Sequence, residues 1–421
     1  MVRLRILIGV TFLAFAMQPA DASDAPNRYQ LRANIDVSYF EATGYTSWTD
    51  GFVGKLLHDD YNQGLMISQA FADVKYQFTD TLKAHVVVQG YNDDIGPIVG
   101  FTQAYLEWRP VPRSQNRVRL KVGAFYPGMS LENISAGWNS PYTMSFSAIN
   151  TWISEELRTI GSELSVSRRP EMFGGAHAFS LKGAVFIGND PTGSLLAWKG
   201  WSVHNRQSRF GDKLPLAPLP VIEPGELLEE QDPYVEPFRE IDGRAGYYVG
   251  GEWRFNQQLL LRAMHYDNRA DPTAFDDGQY AWATKYEHIA AQVALPDDWD
   301  LLFQWMTGTT VMGAVSNGVH VVDTEFNSKY LMLTRLFDRH RLSLRYDTFE
   351  VTQNDDTDDD NNSEDGTVWT LAYFYEWSNN VSFGAESMII KTNRCGWEYF
   401  DIAETRSEKQ LQLSMRIRFG N

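Results

Sequence analysis

Residues 121–167 read KVGAFYPGMSLENISAGWNSPYTMSFSAINTWISEELRTIGSELSVS. Two alternating segments flank one long insert. In the first, Val118, Leu120, Val122 and Ala124 share a face, while Arg117, Arg119, Lys121 and Gly123 take the other. That period of two marks a half-buried strand. A second strand begins after Glu156 and runs to Arg168. The 127–157 connection is far beyond the length of a hairpin turn. It is also too apolar for a solvated tip, since it carries Trp138, Tyr142, Phe146, Ile149, Trp152 and Ile153. Ser147 to Leu157 suits a short helix with Ile149, Trp152 and Ile153 on one side and Asn150, Thr151, Ser154 and Glu155 on the other. Such a connection must pack on something. Inside a barrel it would lie on the inner wall and narrow the lumen.

Working outward, the chain holds sixteen strand candidates, from Gln30–Phe40 to Lys409–Phe419. In the last, Leu411, Leu413, Met415, Ile417 and Phe419 alternate with Gln410, Gln412, Ser414, Arg416 and Arg418. Trp369, Leu371, Tyr373, Tyr375 and Trp377 give another clean outward face. The weakest candidate is Tyr280–Leu295, whose alternation slips near His288 and suggests a bulge. The connectors alternate in length. Short turns such as Thr79-Asp80-Thr81, Asn256-Gln257-Gln258 and Asp338-Arg339-His340 lie on one side. On the other lie the long polar segments 41–64, 127–157, 188–243, 268–279, 310–324, 353–367 and 393–408. That segregation is the plan of a transmembrane β-barrel. Aromatics near strand ends (Trp108, Tyr126, Trp253, Phe255, Trp369 and Trp377) suit interfacial girdles.

Export fits the same plan. Arg3 and Arg5 precede the apolar run Ile6–Met17, and Ala20-Asp21-Ala22 matches a small-x-small cleavage site. Residues 1–22 therefore read as a signal peptide and 23–421 as the barrel. The run is too short to span a bilayer as a helix. Removing the leader leaves 35 basic and 53 acidic residues, a net charge of −18. So acidic a chain is a poor partner for nucleic acid. The single Cys395 excludes an internal disulfide framework.

The chain resembles the bacterial outer-membrane porins. The leader, the sixteen alternating strands, the insert after the fifth strand and the final strand ending in Arg418-Phe419 carry the resemblance, with Gly420 and Asn421 as a small departure. The segments GAFYPG (123–128) and INTWISEELRTIGSEL (149–164) look like the region around an inward-folded third loop. The phosphate-selective porins share the sixteen-strand plan. The resemblance implies a channel for passive diffusion of small hydrophilic solutes, set in outer-membrane lipid and lipopolysaccharide. It also implies a homotrimer, with small outward residues such as Ala33, Ala70 and Ala72 allowing close wall contact.

The wall charges suggest selectivity. Arg32, Lys75, Lys83, Arg117, Arg119, Lys121, Arg345 and Arg416 fall on inward positions, joined by Lys182, Arg254, Arg262, Arg341 and Arg418. Asp36, Asp73, Glu107, Glu163, Glu252, Asp347 and Glu386 are fewer. Glu132 and Glu155 of the insert would face the basic wall and set up a transverse field with a mild anion preference. Glu156, on the apolar side of the insert helix, needs a partner such as Arg158. The acidic run 354–366 (NDDTDDDNNSEDG) matches a calcium loop poorly and reads as a solvated outer loop. The acidic 223–242 stretch suits a cover over the mouth. No cofactor or metal motif is present. The histidines at 58, 85, 177, 204, 265, 288, 320 and 340 fall in no catalytic motif, so the chain reads as a non-enzyme. An adhesin or receptor using 188–243 and 353–367, or an enzyme active at the outer rim, stays compatible with the same barrel.

Overall fold

The computed structural model describes residues 28–93, 95–168, 175–316 and 318–420. The expected leader lies outside them. Sixteen antiparallel strands close into one barrel in sequence order. They are β1 (Tyr29–Thr43), β2 (Gly64–Thr79), β3 (Leu82–Gly90), β4 (Val99–Trp108), β5 (Asn116–Phe125), β6 (Thr159–Arg168), β7 (His177–Ile187) and β8 (Gly246–Phe255). The series continues with β9 (Leu259–Asp267), β10 (Ala283–Leu295), β11 (Trp299–Ser316), β12 (Val319–Phe337), β13 (His340–Gln353), β14 (Glu364–Glu376), β15 (Val381–Arg394) and β16 (Thr405–Gly420). β16 closes on β1 from Arg32↔Gly420 to Thr43↔Lys409. Closure leaves the large sheet with no free edge. No helix among the described residues is long and apolar enough to cross a membrane.

Alternation places the apolar set outside. Leu181, Val249, Leu371, Trp369, Leu413 and Val122 are exposed on the outer face. Their sequence neighbours Lys182, Tyr248, Thr370, Gln412 and Lys121 point inward and are half-buried or buried. Trp108 and Trp377 are exposed at strand ends, as expected of a girdle. Tyr126 is not among them. It lies inside, stacked on Trp138 with ring centroids 3.9 Å apart, and its hydroxyl donates to Gln207 at 2.9 Å. The short turns use Asn256, Asp297, Asp298 and Asp338 at positive φ. Asn and Asp tolerate that left-handed backbone because their short side chains bond locally.

Two expectations need correcting. The 310–324 segment is not a long loop. β11 and β12 run on to Ser316 and Val319, so the hairpin projects as sheet and turns tightly. β10 carries no bulge, since its pairs with β9 and β11 stay in register through His288. Outward Lys285 and Glu287 disguised the pattern there, because they are polar residues on what is elsewhere the apolar face.

The root of the long insert rests on glycine. Gly123 on β5 pairs with Gly161 on β6. Gly123 has φ +132, and a Cβ there would sit 2.4 Å from the Ala104 carbonyl oxygen. Gly123→Ala should therefore lower the stability by about 1–3 kcal/mol, the cost of a residue forced into such backbone. Equilibrium unfolding in denaturant measures it.

Candidate functional site in the barrel interior

The segment between β5 and β6 contains α1 (Ala148–Glu156), capped by Ser147, whose hydroxyl accepts from the Asn150 amide. Every residue of α1 is buried. Its apolar side meets the inward rings of distant strands. Trp152 lies 5.7 Å from Tyr286 and 5.2 Å from Phe326, centroid to centroid. The segment's backbone is bonded by side chains of strands far along the chain. Glu386 on β15 accepts from the Met144 and Ser145 amides at 2.7 and 2.9 Å. Asp347 on β13 accepts from Ala148 at 3.1 Å, beside the positive end of the helix dipole. Gln304 on β11 accepts from Leu131 at 3.0 Å.

Arg345 on β13 joins these contacts. It donates to Glu132 at 2.6 Å and Asp347 at 2.8 Å, and to the Ser145 and Phe146 carbonyls at 2.9 Å each. Glu132 also accepts from the Ser147 amide and the Asn150 side chain. Arg345 and Glu132 are both fully buried. Expected on the wall of a wet lumen, Arg345 is instead sealed under the insert.

The polar side of α1 does not face water. Residues 201–209 cover it: Thr151 donates to the His204 carbonyl at 3.1 Å and Ser154 to the Arg206 carbonyl at 2.7 Å. Residues 188–209 are buried apart from the half-buried Asn205. The second segment starts with a short helix, α2 (Ser194–Trp198). Its first amides, Gly193 and Leu195, donate to Glu156, which also accepts from Trp152 Nε1 at 2.5 Å. Glu156 thus does not pair with Arg158. Arg158 lies over the Tyr126 ring at 3.6 Å and donates to the Ser208 carbonyl. Glu155 pairs with Lys199 and, at 2.7 Å, with His204; burial pushes its carboxyl up, but the Lys199 charge and the His204 hydrogen bond outweigh that and hold it down at about 2. Arg206 and Arg209 both bind Asp93 and Asp212.

Beyond it, Leu214, Leu216, Val221 and Leu228 pack with Trp48, Trp198 and Trp282 in a separate apolar cluster over the long-loop mouth. The 354–363 loop is partly tied down rather than wholly solvated. Asp356, Asp358 and Asp359 are exposed, whereas Asp355 and Asp360 are buried.

Several of the remaining wall charges are met on the wall itself. Arg119 and Lys121 pair with Glu163 of the neighbouring β6 at 3.2 and 3.5 Å. Lys83 pairs with Glu107 at 3.0 Å, Lys75 lies 3.9 Å from Asp73, and Arg416 grips Asp36 with two bonds of 2.8 and 3.0 Å. Arg117 is half-buried on β5 and has a partner of its own. Glu132 and Glu155 therefore do not face the basic wall across a gap, and the expected transverse field is replaced by local pairs. His85 bridges Asp73 at 2.7 Å and the Tyr105 hydroxyl at 2.6 Å, a relay that ends on a phenol packed beside Phe125.

Open space survives at both ends of the packed interior. On the short-turn side a cavity of about 560 Å³ is lined by Arg32, Arg339, Arg341, Arg416 and Arg418 with Glu376. Arg418 binds Glu376, and Arg341 lies over the Tyr142 ring at 5.1 Å. On the long-loop side a cavity of about 130 Å³ lies beside Phe40, His58 and Gln410.

No family model matches the chain, and no curated protein matches it in sequence. Solved structures match in fold. OmpT of Vibrio cholerae, an outer membrane protein folded in vitro and seen in a trimer form, superposes with TM-score 0.50 at 11% identity, over 93% of this chain and 99% of that one. The outer membrane channel DcaP of Acinetobacter baumannii gives 0.51 at 10% identity, over 93% and 96%. OmpF of Salmonella typhi, in complex with daunomycin, gives 0.50 at 11%, over 93% and 97%. At such identities the likeness establishes the fold, which is that of the sixteen-stranded porins.

Glu156 offers a direct test of the interior packing. Burial raises its carboxyl to about 7, above its value in an unfolded chain. Its contribution to stability is then fully present below pH of about 4.3 and is lost as the pH rises through 7. Denaturant unfolding at pH 5 and pH 8 should show a loss of stability at the higher pH. Glu156→Gln, which keeps an acceptor for the α2 amides, should flatten that slope.

Proposed function

We propose that this protein is an outer-membrane channel of the porin type, passing small hydrophilic solutes and ions by diffusion, with residues 127–157 folded inward as its constriction. The closed barrel with an apolar outer face supports placement in the outer membrane. The bonds from β11, β13 and β15 to the insert support the inward fold. The channel is narrow, because residues 188–209 share the interior with the insert.

The mild anion preference rests on the inner cavity. Five arginines line it, and the single carboxylate among its lining residues, Glu376, is held by Arg418. Arg32, Arg339 and Arg341 have no carboxylate partner among the described residues. Inside low-dielectric walls such charges act at short range with little screening. The acidic excess of the outer loops sits in salt solution, screened within about 8 Å. This reading moves the controlling charges from Lys121 and Arg345 to the short-turn mouth. A homotrimer is the proposed assembly, in line with the trimer form of the Vibrio cholerae protein. Outer-membrane lipid and lipopolysaccharide are the proposed surroundings of the apolar face.

One observation favours a second reading. An interior filled by two chain segments suits a receptor or adhesin that presents its outer loops and conducts nothing. Planar-bilayer recording under a salt gradient separates the two. The channel reading predicts a measurable conductance with a reversal potential on the anion side. Arg339→Glu with Arg341→Glu should shift that potential towards cations, while neutralising Asp356, Asp358 and Asp359 should move it little. A cation-selective wild type, or one governed by the outer aspartates, contradicts the assignment.

A further inference from the structure

We infer that solutes cross this barrel along a lateral route against β15, β16 and β1, and that the Met144 side chain closes that route over Gly384. The inference rests on the channel reading above and adds where the path runs and what shuts it.

Three cavities lie end to end on this side of the interior. The outer one, of about 130 Å³, ends at Asn205 and Gln412. Those two residues also line a small central space of about 10 Å³. The central space in turn shares Phe374 and Arg416 with the inner cavity of about 560 Å³. The central space holds about one water molecule, so the route is continuous in its lining and shut at one point.

The two sides of that point differ in kind. On the wall, Gly384 and its paired neighbours are small. Gly384 pairs with Ser414, and Ser414 with Ser38. The Ser38 and Ser414 hydroxyls lie 2.6 Å apart. Elsewhere the inner wall carries bulk, as at Tyr286, Phe326, Tyr330 and Phe349. Facing the small residues is Met144, whose terminal methyl would lie 2.1 Å from a Cβ at Gly384. The methyl therefore rests directly on the glycine, beside the Phe374 ring, whose nearest carbons would lie 3.1 Å from the same Cβ.

Met144 is fixed and free in the right places. Its backbone amide is held by Glu386, so the residue cannot drift from the wall. Its side chain has three rotatable bonds and a soft thioether, and it makes no hydrogen bond among the described residues. Met144 packs with Phe374 and Ala372, so rotating it off Gly384 exchanges apolar contacts and breaks no hydrogen bond among the described residues. Asn205, the half-buried exception in the otherwise buried 188–209 segment, lines the same space. Below it the Asp36–Arg416 pair presents a fixed, neutral rim.

Single-channel recording tests the route. Met144→Ala should raise conductance at least twofold, while Met129→Ala, on the far side of the insert near Tyr286, should leave it as in wild type. In a Cys395→Ser background, Ser414→Cys should let a water-soluble methanethiosulfonate block the current. If wild type conducts but Met144→Ala matches it and the Ser414→Cys channel ignores the reagent, the path runs elsewhere and this inference is overturned. If neither wild type nor Met144→Ala conducts in a correctly folded barrel, the channel reading itself falls.

Discussion

The interior of this protein depends on carboxylates that accept backbone amides. A chain segment taken off the sheet into a packed space loses its ladder partners and its water. Each orphaned amide would then cost a sizeable fraction of a protein's net stability. Glu386, Asp347 and Glu156 meet that need, taking the amides of Met144 and Ser145, of Ala148, and of Gly193 and Leu195 respectively. Buried acids of this kind are themselves costly unless paired. Arg345 pairs with Asp347 and Glu132, which explains a fully buried arginine at mid-wall. The charges that look like lumen lining are in large part the anchors of the lumen's contents.

The barrel itself was legible in the sequence because its signal is local. Alternation at Lys409–Phe419 or Val368–Trp377 is decided by neighbours two residues apart, and turn chemistry at Asn256 or Asp338 marks the ends. All sixteen strands follow from those two rules. The rules fail where a face changes its surroundings. β11 and β12 run on through a register shift between Met312 and Val315, with Gly313 at φ +84, and that interruption of the alternation imitates a loop. Tyr126 follows the last outward positions of β5 in pattern, yet the chain has already turned inward there.

The contents of the barrel were only half legible. The 127–157 insert announces itself by length and by the apolar side of α1. The 188–209 segment does not, because it is read as part of one long acidic loop with 223–242. Its signal was present in composition: Leu195, Leu196, Trp198 and Trp201 lie together and ahead of the acidic run. What no local pattern reveals is that Thr151, Ser154 and Glu155 await that second segment instead of water. Partner choice was equally opaque. Glu156 looked towards the nearby Arg158, while the structure gives it amides nearly forty residues on.

In the proposed channel, filling from two sides has a direct consequence for conductance. Removing one segment exposes the polar face of the other and does not empty the barrel. Conductance measured on two loop deletions is the most direct test of the account: one lacking residues 136–146 and one lacking both 136–146 and 196–209. The account predicts a modest rise for the first and a wide, weakly selective pore for the second. A wide pore from the first deletion alone, in a correctly folded barrel, would contradict it.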